Sequence, residues 1–201
     1  MKLGMLSKIK ILVFIFAIFV LYTSFLFWFI PQNSASSVIA ENIATIPKIG
    51  QKSPGLPIYL IIPKINVYAP VIYVGTNSNG AMSVPNGPDE VAWFDLGIIP
   101  GDSGSSVIAG HFGPWKNGQG SVFDNLNKLK SGDKIYIEDK EGLIITFVVK
   151  ESLIYNLDAD TSNVFISNDG KPHLNLITCN GGWDKISQTY FKRLVVFTDE
   201  E

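Results

Sequence analysis

Apolar residues recur between residues 58 and 201 in short runs that are separated by glycine, proline, asparagine and aspartate. Most runs are rich in β-branched and aromatic side chains and are too short for ordinary helices, so they predict β-strands. The runs are 58–62, 67–74, 105–111, 134–139, 143–149, 174–179 and 193–198. Short strands at this spacing predict an all-β barrel or sandwich.

One stretch of the same region has a helical pattern. Val122, Leu126 and Leu129 would share one face of a helix, and Ser121 is suited to cap its N-terminus. The Ser-Gly-Asp sequence at 131–133 would end it. The pattern predicts a helix over residues 122–129.

The N-terminal part of the chain has the pattern of a membrane anchor. Residues 11–30 form a continuous apolar segment of twenty residues, interrupted only by Thr23 and Ser24. A transmembrane helix needs about 20 apolar residues, whereas the apolar region of a cleaved signal peptide has about 7–15. The stretch therefore predicts a retained, single-pass anchor, with cleavage near residues 34–36 as the alternative.

The charges on either side of this segment predict its orientation. Residues 1–10 form a basic tail that contains three lysines and no acid, and the first charge after the segment is Glu41. Because positive flanks stay in the cytoplasm, we expect a cytoplasmic N-terminus and an extracellular domain at the cell membrane. Residues 31–57 contain four prolines and show no sustained period, so they predict a linker to a single domain at 58–201.

The charge balance excludes one class of partner. Of 16 basic residues in the chain, three precede residue 11, whereas all 18 acidic residues follow residue 40. The exported part therefore carries a net charge of about −5, without the basic patch that nucleic-acid binding requires. We expect no nucleic-acid partner.

The only cysteine of the chain, Cys179, ends one of the predicted strands. Leu174, Leu176 and Thr178 alternate with Asn175, Ile177 and Cys179, so a core-facing set would leave the sulfur on the opposite face. The Asn-Gly-Gly sequence that follows predicts a turn that bends the backbone away from the thiol.

Two roles compete for a thiol of this kind. A free cysteine is often a small core residue, but exported domains usually use their cysteines in disulfide pairs. A lone external thiol therefore favours a nucleophile, and a disulfide between two chains is the remaining structural alternative.

A cysteine nucleophile needs a base or a cation beside it, since few thiols are ionised at neutral pH. The chain has two histidines. His173 lies six residues before Cys179, about 20 Å away along an extended strand, so it cannot reach the sulfur. His111, at the end of the run 105–111, is the candidate general acid and base; a loop histidine without a catalytic role is the alternative.

The only arginine, Arg193, begins the last apolar run. Its guanidinium cannot act as a base, but its fixed donors suit the oxyanion that forms during acyl transfer. A surface ion pair at the sheet edge is the alternative role for this residue.

These residues carry a resemblance to the sortase family. Residues 175–179 are similar to the family's Thr-Leu-x-Thr-Cys signature, with Asn175 in place of the first threonine. Residues 107–111 resemble its histidine segment and residues 192–197 its arginine strand. Further similar segments are 62–65, 84–85, 92–94, 100–105 and 129–133. The Cys-x-Gly-Gly pattern at 179–182, with Phe94 and Pro100-Gly101, is most like class F, with classes D and E as alternatives.

The resemblance implies a closed eight-stranded barrel with one or two short helices and a cysteine transpeptidase of the Gram-positive cell surface. Its substrates would be surface proteins with a C-terminal Leu-Pro-x-Thr-Gly-like (LPxTG) sorting signal, cleaved between Thr and Gly through a thioester on Cys179. His111 would protonate the leaving amine, and Arg193 would hold the oxyanion or the substrate backbone. The acyl group would pass to an amine of peptidoglycan or of a pilin lysine.

Further residues are assigned from the resemblance. Thr178 would position substrate or act as a core hydroxyl, and Trp115 and Trp183 would line an apolar channel or pack at its rim. Lys185 and Lys192 are alternative cations to Arg193, and a backbone N–H near the cysteine is an alternative oxyanion donor. We expect no cofactor or metal: Asp158 and Asp160 resemble the acidic calcium loop of some sortases but are too few for a site with 6–8 oxygens.

Two other functions remain open on the same residues. A hydrolase on this barrel would release the acyl group to water and would differ only in acceptor dependence. A membrane-tethered β-domain that binds a surface partner would bury Cys179 as an unreactive thiol.

Overall fold

The structure is a computed structural model and describes residues 53–201. The predicted basic tail 1–10, the membrane segment 11–30 and most of the linker lie outside these residues. None of the helices in the described part is long and apolar enough to cross a membrane.

Eight strands close into one barrel, which confirms the predicted all-β class. The strands are β1 (Pro57–Ile62), β2 (Val67–Val74), β3 (Val91–Phe94), β4 (Gly104–Gly110), β5 (Lys134–Asp139), β6 (Ile144–Asn156), β7 (Pro172–Asp184) and β8 (Thr189–Glu200). Around the barrel their order is β1-β2-β3-β4-β7-β8-β6-β5. The pairs β2/β3 and β4/β7 are parallel, and the other pairs are antiparallel.

The strand predictions differ from the structure in two ways. The sequence pattern misses β3, since its first three residues, Val91 to Trp93, are all buried and show no alternation. It also ends β6 and β7 too early and begins β8 too late, because the ends of these strands extend beyond the barrel core as exposed pairs. The exposed ends have no core face for a hydrophobic pattern to mark.

The barrel interior is filled by side chains from all eight strands. Leu174 and Leu176 of β7 are fully buried there, as their alternation predicts. Phe123 and Phe147, also fully buried, are among the largest side chains of this core. Full burial of one such side chain contributes about 1.5–3 kcal/mol, so the alternation along the strands supplies much of the driving force for closure.

A second, smaller apolar cluster lies apart from this core. Its buried members are Val107 of β4, Val195 of β8 and Val164 of a one-turn helix, α1 (Ser162–Phe165). Since Val107 and Val195 come from strands on either side of β7, this cluster covers the outer face of the β4/β7/β8 region. It defines the wall of the barrel on which Cys179 lies.

The predicted helix over residues 122–129 is wrong. Only Leu126–Lys128 forms a helical turn, of the 3-10 type, and turns precede it. The Ser121 hydroxyl does not cap it, because it donates to the Gly113 carbonyl (2.6 Å). Leu126 and Leu129 are nevertheless buried in the core, so burial, and not helical periodicity, explains the pattern.

Candidate active site

Cys179 is the eighth residue of β7 and does not lie at the end of the strand. The pairing with β8 shifts register between Asn180 and Trp183, where Gly181 has a φ of 84°. The Asn-Gly-Gly sequence therefore forms a bulge and not the predicted turn. Glycine allows this left-handed backbone without strain, and β7 continues as one arm of an exposed hairpin with β8.

Arg193 lies directly opposite Cys179 on β8. The thiol is partly buried; burial raises its pKa, and the charge of Arg193 partly offsets that effect. One guanidinium nitrogen of Arg193, Nη1, donates to the carbonyls of Tyr190 (3.1 Å) and Lys192 (3.0 Å). These bonds hold the cation beside the sulfur but do not use all its donors.

His111 directly follows β4, the other strand that neighbours β7. Strands β4 and β7 are parallel, with Ala109 opposite Ile177. Extending this register by two positions, just beyond the end of β4, puts His111 next to Cys179 on the same face. The buried Thr178 hydroxyl donates to the Gly110 carbonyl (2.8 Å), which fixes the two strands together at this point. Thr178 thus has the geometry of a core hydroxyl, the second of its two predicted roles.

The His111 ring has a defined orientation. Its Nε2 lies 2.8 Å from the Pro85 carbonyl oxygen, and a carbonyl only accepts, so Nε2 carries the proton. In the neutral ring Nδ1 is then the basic nitrogen. The Trp115 ring packs against the imidazole, with centroids 4.7 Å apart.

Asp124 organises the loop that follows His111. Its carboxylate accepts the backbone N–H groups of Gly113 (2.7 Å) and Ser121 (2.9 Å). The Phe123 N–H closes the loop on the His111 carbonyl (3.0 Å). Sequence reasoning missed Asp124, although Ser121-x-x-Asp124 is a capping-type pattern that could have indicated it.

Tyr190 joins the hairpin to this loop and was also missed. Its ring makes edge contacts with Phe112 (5.7 Å) and Trp183 (5.1 Å). A side chain at Gly113 would collide with its hydroxyl. Burial raises the pKa of Tyr190, and the charges of Cys179 and Asp124 add to the effect.

The two predicted tryptophans contact different elements of the site. Trp183 is half exposed and packs on Tyr190, whereas Trp115 packs on His111.

An apolar surface adjoins the thiol on the outer wall. Ile177, two residues before Cys179 on the same face of β7, packs against the second apolar cluster. Phe94, Phe165 and Tyr155 are further partly buried members. This surface lies on one side of Cys179 along β7, and the hairpin with Trp183 lies on the other.

Other candidates lie away from Cys179. His173 lies at the far end of β7 between Asp169 and Asp199. Asp160 accepts the Ser162 N–H (2.9 Å) at the start of α1, and Asp158 is exposed. Within residues 53–201 no group of three or more His, Cys, Asp or Glu side chains is arranged to hold a metal ion.

Solved sortase structures share this barrel. Sortase C-1 from Actinomyces oris is 24% identical, with a TM-score of 0.54 over 71% of this chain and 72% of that one. A lid mutant of sortase A from Corynebacterium diphtheriae is 22% identical, with a TM-score of 0.55 over 75% and 73%. Sortase C1 from Streptococcus agalactiae is 24% identical, with a TM-score of 0.55 over 75% and 69%. At these identities the similarity shows the fold alone.

The sequence itself matches a known family model. A sequence comparison with curated proteins finds no match. The model of the sortase domain, however, matches residues 60–201, which include all but the start of the barrel. Together with the barrel topology, this match shows that the chain belongs to the sortase family of cysteine transpeptidases.

Proposed function

We propose that this sortase is membrane-anchored and cleaves LPxTG-like sorting signals between Thr and Gly. Cys179 forms the thioester and transfers the acyl group to an amine on the cell surface. The observation that carries the proposal is that Cys179 on β7 lies opposite Arg193 on β8, and that His111 directly follows β4, the strand on the other side of β7. A nucleophile, a base and a cation on one face are the groups that acyl transfer requires.

In the first half-reaction the Cys179 sulfur attacks the carbonyl carbon of the signal's threonine. Because burial raises the pKa of the thiol, its proton has to leave as the S–C bond forms, and Nδ1 of His111 accepts it. The C–N bond to glycine then breaks, and the same proton passes from Nδ1 to the leaving amine. The Pro85 carbonyl keeps Nε2 protonated throughout, which stabilises the imidazolium.

In the second half-reaction an amine enters where the glycine left. It attacks the thioester carbonyl and gives a proton to Nδ1 of His111, and the C–S bond breaks. The proton then returns from Nδ1 to the sulfur, which restores the starting thiol and the neutral imidazole. The hydrolase alternative follows the same steps, with water in place of the amine.

Arg193 stabilises the negative charge on the carbonyl oxygen in both half-reactions. Its guanidinium is already held by two backbone carbonyls, so little ordering is needed when the oxyanion forms. Lys185 and Lys192 have no such anchoring to the chain among the described residues, which favours Arg193 as the cation.

The sorting signal binds along the outer wall of the barrel. Its leucine and proline lie on the apolar surface around Ile177, with Trp115 and Trp183 flanking the scissile bond. Burying one leucine side chain contributes about 1.5–3 kcal/mol, a useful share of the affinity for a short peptide. The glycine and the incoming amine lie on the hairpin side of Cys179.

The cellular setting follows from the same proposal. The apolar segment 11–30 anchors the chain in the membrane, with the N-terminus cytoplasmic and the barrel outside. The partners are surface proteins with a C-terminal sorting signal and an amine of peptidoglycan or a pilin lysine. The Cys-x-Gly-Gly pattern and Phe94 with Pro100-Gly101 favour class F.

The test is mass spectrometry of the full-length chain incubated with an LPxTG-type peptide library, with and without an amine acceptor. We expect an acyl adduct on Cys179 that passes to the amine and is absent from Cys179→Ala. An adduct that passes only to water would establish the hydrolase instead. No adduct, with a thiol that alkylates only on unfolding, would favour the tethered binding domain.

A further inference from the structure

The connection that presents Pro85 to His111 is held by a carboxylate that the reaction itself does not use. Glu90 lies at the end of this connection, immediately before β3. Its Oε1 accepts the backbone N–H groups of Asn86 (2.8 Å) and Gly87 (3.0 Å). Both donors belong to the two residues that directly follow Pro85.

The other end of this arrangement is fixed to β4, the strand that directly precedes His111. Val91, next to Glu90, is fully buried and lies opposite Gly110 in the β3/β4 pair. Gly110 directly precedes His111. The backbone at Glu90 is therefore tied to the backbone at His111, and the Glu90 side chain determines where the Pro85 carbonyl stands relative to the ring.

These contacts form a network that begins and ends at His111. From the His111 ring it runs through the Pro85 carbonyl to Asn86 and Gly87, then through the Glu90 carboxylate to β3, and across the β3/β4 pair back to His111. The Val122 N–H adds a bond to the Pro88 carbonyl (2.8 Å), which fixes the turn from outside. A ring oriented by a backbone carbonyl can be only as well positioned as the turn that carries that carbonyl.

We propose that Glu90 is a positioning residue that keeps His111 in the Nε2-protonated form with Nδ1 available for proton transfer. The functional part of this inference rests on the proposed role of His111. Without the carboxylate, two N–H donors lose their acceptor and the turn relaxes. The Pro85 carbonyl then moves from its 2.8 Å position and the ring loses the partner that fixes its tautomer.

The variants for a test are Glu90→Ala, Glu90→Gln and Asp95→Ala in the full-length chain. Glu90→Gln retains a side-chain oxygen that accepts both N–H bonds, although more weakly than a carboxylate. Asp95 follows β3 as Glu90 precedes it and is exposed, so Asp95→Ala removes the same charge without touching the turn. All variants are compared below their own melting temperatures.

The kinetic readout separates positioning from substrate binding. We expect Glu90→Ala to lower kcat about 10- to 100-fold with little change in KM, since misplacing a catalytic group by about 1 Å has effects of this size. Glu90→Gln should recover most of the rate, and Asp95→Ala should match the wild type. A Glu90→Ala variant with the wild-type kcat would overturn the proposal.

A second readout does not depend on activity. The chain has only two histidines, so ¹⁵N-imidazole spectra of the histidine-labelled chain contain two rings, and His173→Gln assigns them. We expect the neutral His111 ring to be protonated at Nε2 in the wild type and in Glu90→Gln, and to show mixed tautomers in Glu90→Ala. The same tautomer in all three would overturn the proposal. A peptide-inactive wild type with the expected spectra would instead refute only the proposed function.

Discussion

The two histidines lie at opposite ends of the same wall and have opposite surroundings. At the Cys179 end, one nitrogen of His111 is bonded to a backbone carbonyl, and within the described residues the other has no hydrogen bond. At the far end of β7, Nδ1 of His173 faces Asp199 (2.8 Å) and Nε2 faces Asp169 (2.9 Å). One ring is oriented yet able to exchange a proton, whereas the other has both nitrogens committed.

The partners explain the difference in chemistry. Burial disfavours the charged form of His173, but the hydrogen bonds and charges of Asp169 and Asp199 outweigh burial and raise its pKa. The hydrogen bond from His173 in turn lowers the pKa of Asp169 well below its usual range. A protonated ring between two carboxylates holds its proton, so His173 joins the start of β7 to β8 and to the preceding connection. The comparison indicates that the hydrogen-bond partners of a histidine, and not its residue type, suit His111 to the proposed proton transfer and His173 to joining two parts of the fold.

The largest expected effect comes from replacing His111, with the replacement of His173 as its comparison. His111→Ala should lower transfer to the amine by about 10²- to 10⁴-fold, the usual contribution of general acid–base catalysis. His173→Gln should leave kcat/KM close to the wild-type value while the protein is folded. Both values come from initial rates with one sorting peptide; a larger loss in His173→Gln than in His111→Ala would reverse the assignment.

Arg193→Ala should have the next largest effect. Loss of an oxyanion donor typically costs about 10²- to 10³-fold in kcat. Because the charge of Arg193 lowers the pKa of Cys179 against the effect of burial, its removal should raise that pKa further. The pH at which alkylation of the thiol by iodoacetamide is half-maximal should therefore move upward.

Arg193→Lys is the matched control for this experiment. It retains the charge, so the alkylation profile should stay near that of the wild type, while the loss of the forked donors should still lower kcat. An unchanged kcat in Arg193→Ala would mean that another donor, such as a backbone N–H near Cys179, serves the oxyanion.

His173→Gln should reduce stability rather than activity, and the loss should depend on pH. The raised pKa of His173 means that its contribution is complete below about pH 6.5 and is lost as pH rises through the folded-state pKa. The lowered pKa of Asp169 means that its contribution is present above about pH 3.9 and is lost in stronger acid. The destabilisation should thus be largest between about pH 4 and 6.5.

Urea unfolding at several pH values measures this difference. The other charged groups near His173 are Lys150, whose amine lies 3.1 Å from Asp199, and Glu151, which follows Lys150 on β6. Lys150→Met, measured in the same way, is the control that shows how much of the pH dependence comes from the ion pair between Lys150 and Asp199. A destabilisation that is the same at pH 5 and pH 9 would show that His173 acts through packing alone.

The smallest effect is expected from Tyr190→Phe at the active end. Within the described residues the Tyr190 hydroxyl has no hydrogen bond, whereas its ring contacts Phe112 and Trp183. Tyr190→Phe should keep kcat/KM within about twofold of the wild-type value. Tyr190→Ala should lower the free energy of unfolding by about 0.5–1.5 kcal/mol for each aromatic pair that it removes. A large loss in Tyr190→Phe would assign the hydroxyl a direct part in the chemistry.

Sequence patterns predicted the parts of the molecule that local chemistry determines. Alternation in residues 174–178 marks the core face of β7, and the residues that lie together at the site, His111, Cys179 and Arg193, each belong to a predicted strand. The pattern fails where burial is two-sided, as in β3, and where a glycine forms a bulge in a continuing strand, as at Gly181.

The partners of the two histidines could not be read from the sequence. Pro85 is 26 residues from His111, and Asp199 is 26 residues from His173. Only the closed barrel brings these groups together. The hydrogen bonds of Glu90 with Asn86 and Gly87 are local in sequence. Their effect on His111, however, depends on the position of the Pro85 carbonyl, which is determined by the pairing of β3 with β4.

The most direct test of the central claim is to bridge Cys179 chemically to its neighbour. 1,3-Dibromoacetone alkylates a thiol and then a nucleophilic nitrogen within reach of its three-carbon bridge, and peptide mapping by mass spectrometry identifies the partner. The account predicts a bridge between Cys179 and His111 in the folded, full-length chain, and its loss in His111→Ala but not in His173→Gln. A folded chain in which Cys179 is alkylated but never bridged to His111 would contradict it.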